Sequence, residues 1–127
     1  MGRYLIDTNV IGNFTSVKFS EKTMDFLAEV IDETPNVSVI AKIEALSWRS
    51  AIIQEEASVK SFVNYSNIIA LSDMIVDECI VIRRNIRMKT PDAIIAATAI
   101  VNDFVLLTSD ADFNRIPNLR TLNPFNL

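Results

Sequence analysis

Four apolar runs constrain the fold of this chain more than any other feature: Tyr4-Leu5-Ile6, Val37-Ser38-Val39-Ile40, Ile68-Ile69-Ala70-Leu71 and Val105-Leu106-Leu107-Thr108. Each is long enough for one strand, and helix-length stretches separate them. A strand apolar on both sides of its pleat must be covered on both faces. Alternating with helices, such strands form a parallel sheet between helical layers. Ligands of such sheets collect beyond the carboxyl ends of the strands.

The intervening segments read as helices. Residues 3–7 read as the first strand, ending at Asp7, and 9–14 as a short helix or turn. Ser20 is an N-cap, with Phe19 and Met24 spaced as a hydrophobic staple. Met24, Leu27, Ala28 and Ile31 form the inward face of that helix, and Thr34-Pro35-Asn36 stops it. Val37 to Ile40 is the second strand. A helix from about Ala41 carries Glu44 in or near its first turn. A helix over 51–65 buries Ile52, Val59, Phe62 and Val63. After the third strand, 68–71, Ser72 caps a long helix with Ile75, Cys79, Ile82 and Ile86 on one face. Pro91 suits the start of a helix over 91–102. Its alanines allow close approach to a sheet. A fourth strand over 105–108, a short helix around 110–115 and a fifth strand near 119–122 follow.

At 127 residues the chain is expected to be a single domain, 1–127, large enough to bury a core. Half of its residues are hydrophobic, so it is not a disordered chain. No apolar run approaches the roughly 18 residues of a membrane span. Asp7 follows the start too closely for a signal peptide, so a cytoplasmic location is expected. Met1-Gly2 looks like a myristoylation start, but Ile6 stands where Ser or Thr is required. The single cysteine, Cys79, excludes an internal disulfide and reads as a buried small hydrophobe. Histidine is absent. That removes imidazole acid–base ribonucleases, Ser-His-Asp and Cys-His hydrolases, and histidine-built zinc sites. The net charge of −4 argues against whole-surface nucleic-acid binding and leaves room for a local basic patch.

Acidic residues recur where apolar elements give way to polar ones. Asp7 ends the first strand, Glu44 follows the second, Asp92 opens the Ala-rich helix, and Asp110 and Asp112 follow the fourth strand. Each alone is explained by capping or turn formation. Together they bring acids from separate segments toward one edge, where they would repel one another unless a cation lay between them. An all-oxygen set suits Mg²⁺ or Mn²⁺, and such ions activate water for phosphodiester hydrolysis. On this reading Asp7 and Asp92 are direct metal ligands, and Glu44 binds directly or through water and orients the attacking water. Asp110 and Asp112 complete the set, at least one of them through water. Thr8, Asn9, Thr108 and Ser109 hold the ligands or contact phosphate. The run Asp110-Ala111-Asp112-Phe113-Asn114 imitates a calcium loop. Arg115 and Thr121, standing where glycine and the bidentate glutamate are needed, exclude an EF-hand. With only Gly2 and Gly12 available, a Walker loop is excluded too.

Four stretches carry a family resemblance: Leu5-Ile6-Asp7-Thr8-Asn9-Val10, Ser38 to Glu44, Thr90-Pro91-Asp92-Ala93-Ile94-Ile95-Ala96-Ala97-Thr98 and Leu106-Leu107-Thr108-Ser109-Asp110-Ala111-Asp112-Phe113. In order and spacing they resemble the successive motifs of PIN-domain nucleases, most of all the small bacterial VapC-type toxins. The resemblance implies a three-layer α/β/α fold with a parallel sheet of about five strands. It implies Mg²⁺- or Mn²⁺-dependent endoribonuclease activity leaving 5′-phosphate and 3′-hydroxyl ends. It also implies a homodimer and a cognate antitoxin partner. Asp7, Glu44 and Asp92 match the family's three recurrent acids. Asp112 matches the acid before the phenylalanine, Asp110 an earlier polar position often filled by Asn or Asp, and both are retained. The chain departs from many relatives in being acidic and poor in glycine.

Arg83, Arg84, Arg87 and Lys89 precede Asp92 with no intervening acid and are candidates to guide an RNA backbone. They equally suit the negative end of a helix dipole. Lys42 and Arg49, flanking Glu44, are weaker candidates. Trp48 and Phe113 could stack on bases but read as core. Two alternatives stand beside the ribonuclease. One is a non-catalytic PIN-like module that binds RNA or protein. The other is an aspartyl-phosphate phosphatase with Asp7 as nucleophile, against which Asn9 occupies the place of the required second aspartate.

Overall fold

Among the described residues, 3–127, the computed structural model has five short parallel strands in one sheet: β1 (Tyr4–Ile6), β2 (Asn36–Ser38), β3 (Asn67–Ile69), β4 (Val105–Leu107) and β5 (Thr121–Leu122). The Met1-Gly2 start lies outside the described residues. The helices are α1 (Thr8–Thr15), α2 (Glu21–Asp32), α3 (Val39–Ser47), α4 (Ile53–Tyr65), α5 (Asp73–Asn85) and α6 (Thr90–Val101), with 3-10 turns at Ala111–Arg115 and Pro124–Asn126. The fold is α/β/α, as the apolar runs require.

The strand order is β3-β2-β1-β4-β5, and every pair is parallel. The chain steps outward from β1 to β3 and then returns through α5 and α6 to lay β4 on the other side of β1. Tyr4, Leu5 and Ile6 pair with Val105, Leu106 and Leu107. The direction of winding therefore reverses between β1 and β4, and in open α/β sheets a crevice opens at the carboxyl ends of such a pair. Asp7 and Thr108 are the residues that leave the sheet there.

Burial explains the elements. Leu5, Ile6, Leu106 and Leu107 are at most 2% exposed. Ala93, Ile95, Ala96, Ala97 and Ala99 on α6 are at most 1% exposed; a helix buried nearly all round fits only because most of these side chains are methyl groups. Ser20, Ser38 and Ser72 cap α2, α3 and α5, each accepting a backbone N–H in the first turn. At the amino edge of the sheet Asn36, fully buried, donates to Tyr4 O (3.0 Å) and accepts from Asn67 Nδ2 (3.0 Å). These two amides tie β3, β2 and β1 together.

Several boundaries and faces differ from the sequence reading. Val39 and Ile40 are not strand: Ser38 caps α3, so they form its first turn, and Glu44 lies in its second turn. The inward face of α2 is Thr23, Leu27 and Val30, and Ala28 is exposed. Thr23 tolerates burial because its hydroxyl donates to Pro124 O (3.0 Å) and accepts from Ser20 Oγ (3.0 Å). Ile52 precedes α4 and is 53% exposed, whereas Val59, Phe62 and Val63 are buried as expected. Trp48 is exposed at the end of α3, while Phe113 is core. Cys79 is buried, and that burial raises its thiol pKa.

Candidate acidic centre at the carboxyl edge of the sheet

Asp7 is the last residue before α1 and only 6% exposed. Its backbone N–H donates to Leu107 O (3.0 Å), which fixes it at the mouth of the β1–β4 crevice. Its Oδ1 accepts from Thr8 N (2.8 Å), and its Oδ2 accepts from Asn9 Nδ2 (2.9 Å) and Thr108 Oγ1 (2.8 Å). A carboxylate offers about four lone-pair positions. Three are taken, and the open one is on Oδ1.

Thr108 couples the two strand ends. Its hydroxyl donates to Asp7 and accepts from Asn9 Nδ2 (3.3 Å) and from Asp110 N (3.1 Å). Asn9 closes the other side: its Oδ1 accepts from Ser109 N (3.2 Å) and Ser109 Oγ (3.1 Å). Asp110 Oδ1 in turn accepts from Asp112 N (2.9 Å), which starts the following 3-10 turn. On the opposite flank Thr8 Oγ1 donates to Glu44 Oε1 (2.9 Å) and leaves Oε2 open. The network thus links Asp7, Glu44 and Asp110 through Thr8, Asn9, Thr108 and Ser109, the four supporting residues named from the sequence.

Asp92 joins the group from the first turn of α6, where a negative charge also suits the helix dipole. The charges of the acids act on one another. Burial pushes the Asp7 carboxyl up to about 6, against the lowering by its Thr108 and Thr8 hydrogen bonds, and the charges of Asp92 and Glu44 add to the rise. Asp92 is also raised, first by burial and then by Asp110 and Glu44, with Lys89 opposing and Asp112 adding a smaller push. All five predicted acids therefore act on one region, with Asp92 at its hub.

Among the described residues, no three acidic side chains as placed are close enough to hold an ion together. The donor set nevertheless fits a hard divalent cation: all ligands are oxygen, Asp7 keeps one open lone pair, and the mutual repulsion is of the kind a cation relieves. Glu44 and Asp112 are exposed, so their side chains are free to change rotamer without disturbing the core.

The basic residues divide by role. Lys89 is close enough to lower the Asp92 pKa. Arg83 Nε donates to Met88 O (3.2 Å). Arg84 and Arg87 are exposed at and just beyond the end of α5. Among the described residues none of these four cations is held in an ion pair; the pair found is Arg120–Asp103 at 2.7 Å. The sequence reading missed Arg115 as a contributor. Its guanidinium donates to Arg87 O (2.8 Å) and to Asp112 O (3.4 Å), pinning the basic loop against the acidic turn. Sequence carried no signal for this contact beyond a cation three residues after Asp112.

A family model described as PIN domain matches residues 4–119. A comparison with curated proteins yields no significant match. Solved structures similar to this chain include a toxin–antitoxin complex from Klebsiella pneumoniae at 26% identity and a TM-score of 0.71, covering 95% of this chain and 97% of that one. VapBC2 from Rickettsia felis, bound to a promoter DNA fragment, is 22% identical with a TM-score of 0.78, covering 94% and 97%. DNA-bound VapBC from Salmonella typhimurium is 20% identical with a TM-score of 0.81, covering 98% and 99%.

Proposed function

The chain belongs to the PIN-domain family, and on that basis we propose that it is a divalent-metal-dependent endoribonuclease, the toxin of a toxin–antitoxin pair. One observation carries the reading: Asp7 is nearly excluded from solvent at the β1–β4 switch point, and its carboxyl is raised by that burial and further by the charges of Asp92 and Glu44. Capping α1 accounts for the Thr8 hydrogen bond and not for the like charges around it.

In this mechanism Asp7 and Asp92 would hold Mg²⁺ or Mn²⁺, Glu44 would join them directly or through water, and Asp110 and Asp112 would complete the set, at least one of them through water. When bound, such a cation would supply Lewis acidity, making water more nucleophilic and offsetting charge on the phosphodiester. Thr8, Asn9 and Thr108 keep the Asp7 carboxylate in one orientation and leave one lone pair of Oδ1 open. Glu44, tethered at one oxygen by Thr8, uses the other to orient the attacking water in line with the leaving oxygen. Ser109 sets Asn9 and so supports Asp7 at one remove. Arg84, Arg87 and Lys89 approach the RNA phosphates flanking the cut, and Arg83 and Arg115 hold the loop that carries them.

The similar structures named above are toxin–antitoxin complexes, which supports an antitoxin protein as partner. The homodimer and the cytoplasmic location belong to the same reading. Among the described residues no helix is long and apolar enough to cross a membrane. The test is RNA cleavage with Mn²⁺, with EDTA, and with Asp7→Asn or Asp92→Asn. Cleavage that needs the metal and vanishes in both folded variants is expected; wild-type rates in either variant refute the ligand assignment. A second reading, a PIN-like module that binds RNA without cutting, rests on there being no three acids, among the described residues, placed close enough to hold an ion. Retention of RNA with no cleavage in Mn²⁺ would select it.

A further inference from the structure

A cavity opens directly beside the acidic centre, on the β4–β5 side, with a volume of about 410 Å³. Its wall includes Ser109, Asp110, Asn114, Thr121, Asn123 and Asn126. The volume lies in the roughly 300–1,000 Å³ range of small-ligand sites. The lining is unusual in two respects: it is rich in side-chain amides and hydroxyls, and it contains no cation.

The polarity of most of these groups is fixed by the partners they already have. Asn123 Oδ1 accepts from Phe125 N (3.0 Å), so its Nδ2 is left as a donor. Thr121 Oγ1 donates to Asn114 Oδ1 (2.9 Å), which leaves the Asn114 Nδ2 as a donor and the Thr121 oxygen as an acceptor. Ser109 Oγ donates to Asn9 Oδ1 (3.1 Å) and likewise retains only acceptor capacity. The far wall is braced: Pro124 O accepts from the buried Thr23 hydroxyl (3.0 Å), and the Phe125 ring packs on Phe19 at a centroid distance of 4.5 Å.

We propose that this cavity is a nucleobase subsite, which takes an unpaired base of the RNA next to the phosphate held at the acidic centre. The proposal rests on the ribonuclease reading and adds to it the source of sequence preference. A phosphate is a poor occupant, because the wall offers Asp110 and no positive charge. A base edge is neutral and carries donors and acceptors at fixed positions. Single-stranded RNA is read through such edges by side chains of fixed polarity. The four bases differ in that pattern, so the cavity discriminates among them. The link is direct on the protein side: Ser109 and Asp110 belong both to this wall and to the network that orients Asp7.

The test uses the metal-free full chain, ¹⁵N-labelled, titrated separately with uridine, cytidine, adenosine, guanosine and ribose 5-phosphate. The side-chain amide resonances of Asn114, Asn123 and Asn126 are expected to shift with nucleosides, by amounts differing at least about threefold among the four, and not with ribose 5-phosphate. Asn126→Ala, at an exposed residue whose side chain makes no hydrogen bond among the described residues, is expected to weaken the shifts. Asn123→Asp, which keeps an oxygen for Phe125 N–H and loses the donor, is expected to abolish or reorder the preference with the remaining spectrum intact. Equal response to all four nucleosides, response to ribose 5-phosphate, no response, or indifference to both substitutions overturns the proposal. A parallel digest of random-sequence RNA in Mn²⁺ separates the two claims. Cutting whose flanking preference is unchanged in Asn123→Asp removes the subsite and keeps the nuclease. Absence of cutting alongside selective nucleoside shifts removes the nuclease and keeps a nucleobase site.

Discussion

At Asp7 burial raises the carboxyl pKa from 3.8 to about 6, so the folded chain holds that proton more tightly than the unfolded one. Between those two values the native state binds more protons, and stability falls as pH rises. Well below pH 4 the group is neutral in both states; well above pH 6 it is charged in both, and the folded state carries the full desolvation cost. The shift corresponds to about 3 kcal/mol. Denaturation in EDTA at pH 4 and pH 8 should therefore show Asp7→Asn gaining about 2 kcal/mol on the wild type, most of the full shift, over that range. A difference independent of pH would show that Asp7 ionises without penalty. Thr108 acts on the same carboxylate from outside. Thr108→Val keeps the shape, removes the hydroxyl that donates to Asp7 and accepts from Asn9 and Asp110, and should weaken Mn²⁺ binding by about 10–100-fold in calorimetry. An unchanged affinity would make that network structural alone. The acids were legible in the sequence because each ends an apolar run. The Thr8–Glu44 bond and the Arg115 contacts were not, since nothing local relates residues 36 or 28 positions apart.

Helix ends in this chain are built without the usual glycine. Val17, Thr34 and Asp103 have φ of 55°, 62° and 56° and follow the C-caps of α1, α2 and α6. Val17 N–H bonds Phe14 O (3.1 Å) and Lys18 N–H bonds Asn13 O (2.9 Å), which is the Schellman pattern. Asp103 and Phe104 repeat it on Ile100 O and Ala99 O. A β-branched residue in the left-handed region costs roughly 1–2 kcal/mol, of which a glycine would return part after its own entropy loss. Val17 is 69% exposed and forfeits little packing. Val17→Gly should therefore raise stability by about 1 kcal/mol in urea unfolding; a loss would mean that the exposed side chain does more than the backbone argument allows. The same scale shows why boundaries were partly illegible. Val37 to Ile40 is a continuous β-branched pattern apart from Ser38, and only the capping hydroxyl of Ser38 converts its second half into α3. On α2 the buried Thr23 replaced Ala28 on the inward face because its partner, Pro124 O, lies 101 residues away.

Over the whole molecule the winding order matters more than any local signal. Alternating strands and helices announce a parallel sheet, but strand order is set by tertiary packing, and it alone places the reversal between β1 and β4. That placement gathers acids from four separate segments at one edge. It also sets the basic end of α5 near them, in a chain whose net charge is −4. An acidic protein that binds RNA must do so through a local patch, and association then depends steeply on salt in proportion to the phosphates neutralised. Arg84 and Arg87 are exposed, and their guanidinium groups are not held in an ion pair among the described residues. Removing both should leave folding unchanged and lower the log–log salt slope of single-stranded RNA binding by about 1.4, at about 0.7 per phosphate contact. Binding measured in EDTA between low and moderate salt isolates this effect from cleavage. If the slope stays at the wild-type value while affinity at the acidic edge is intact, the arginines only complement the α5 dipole, and the RNA backbone leaves the site by another path.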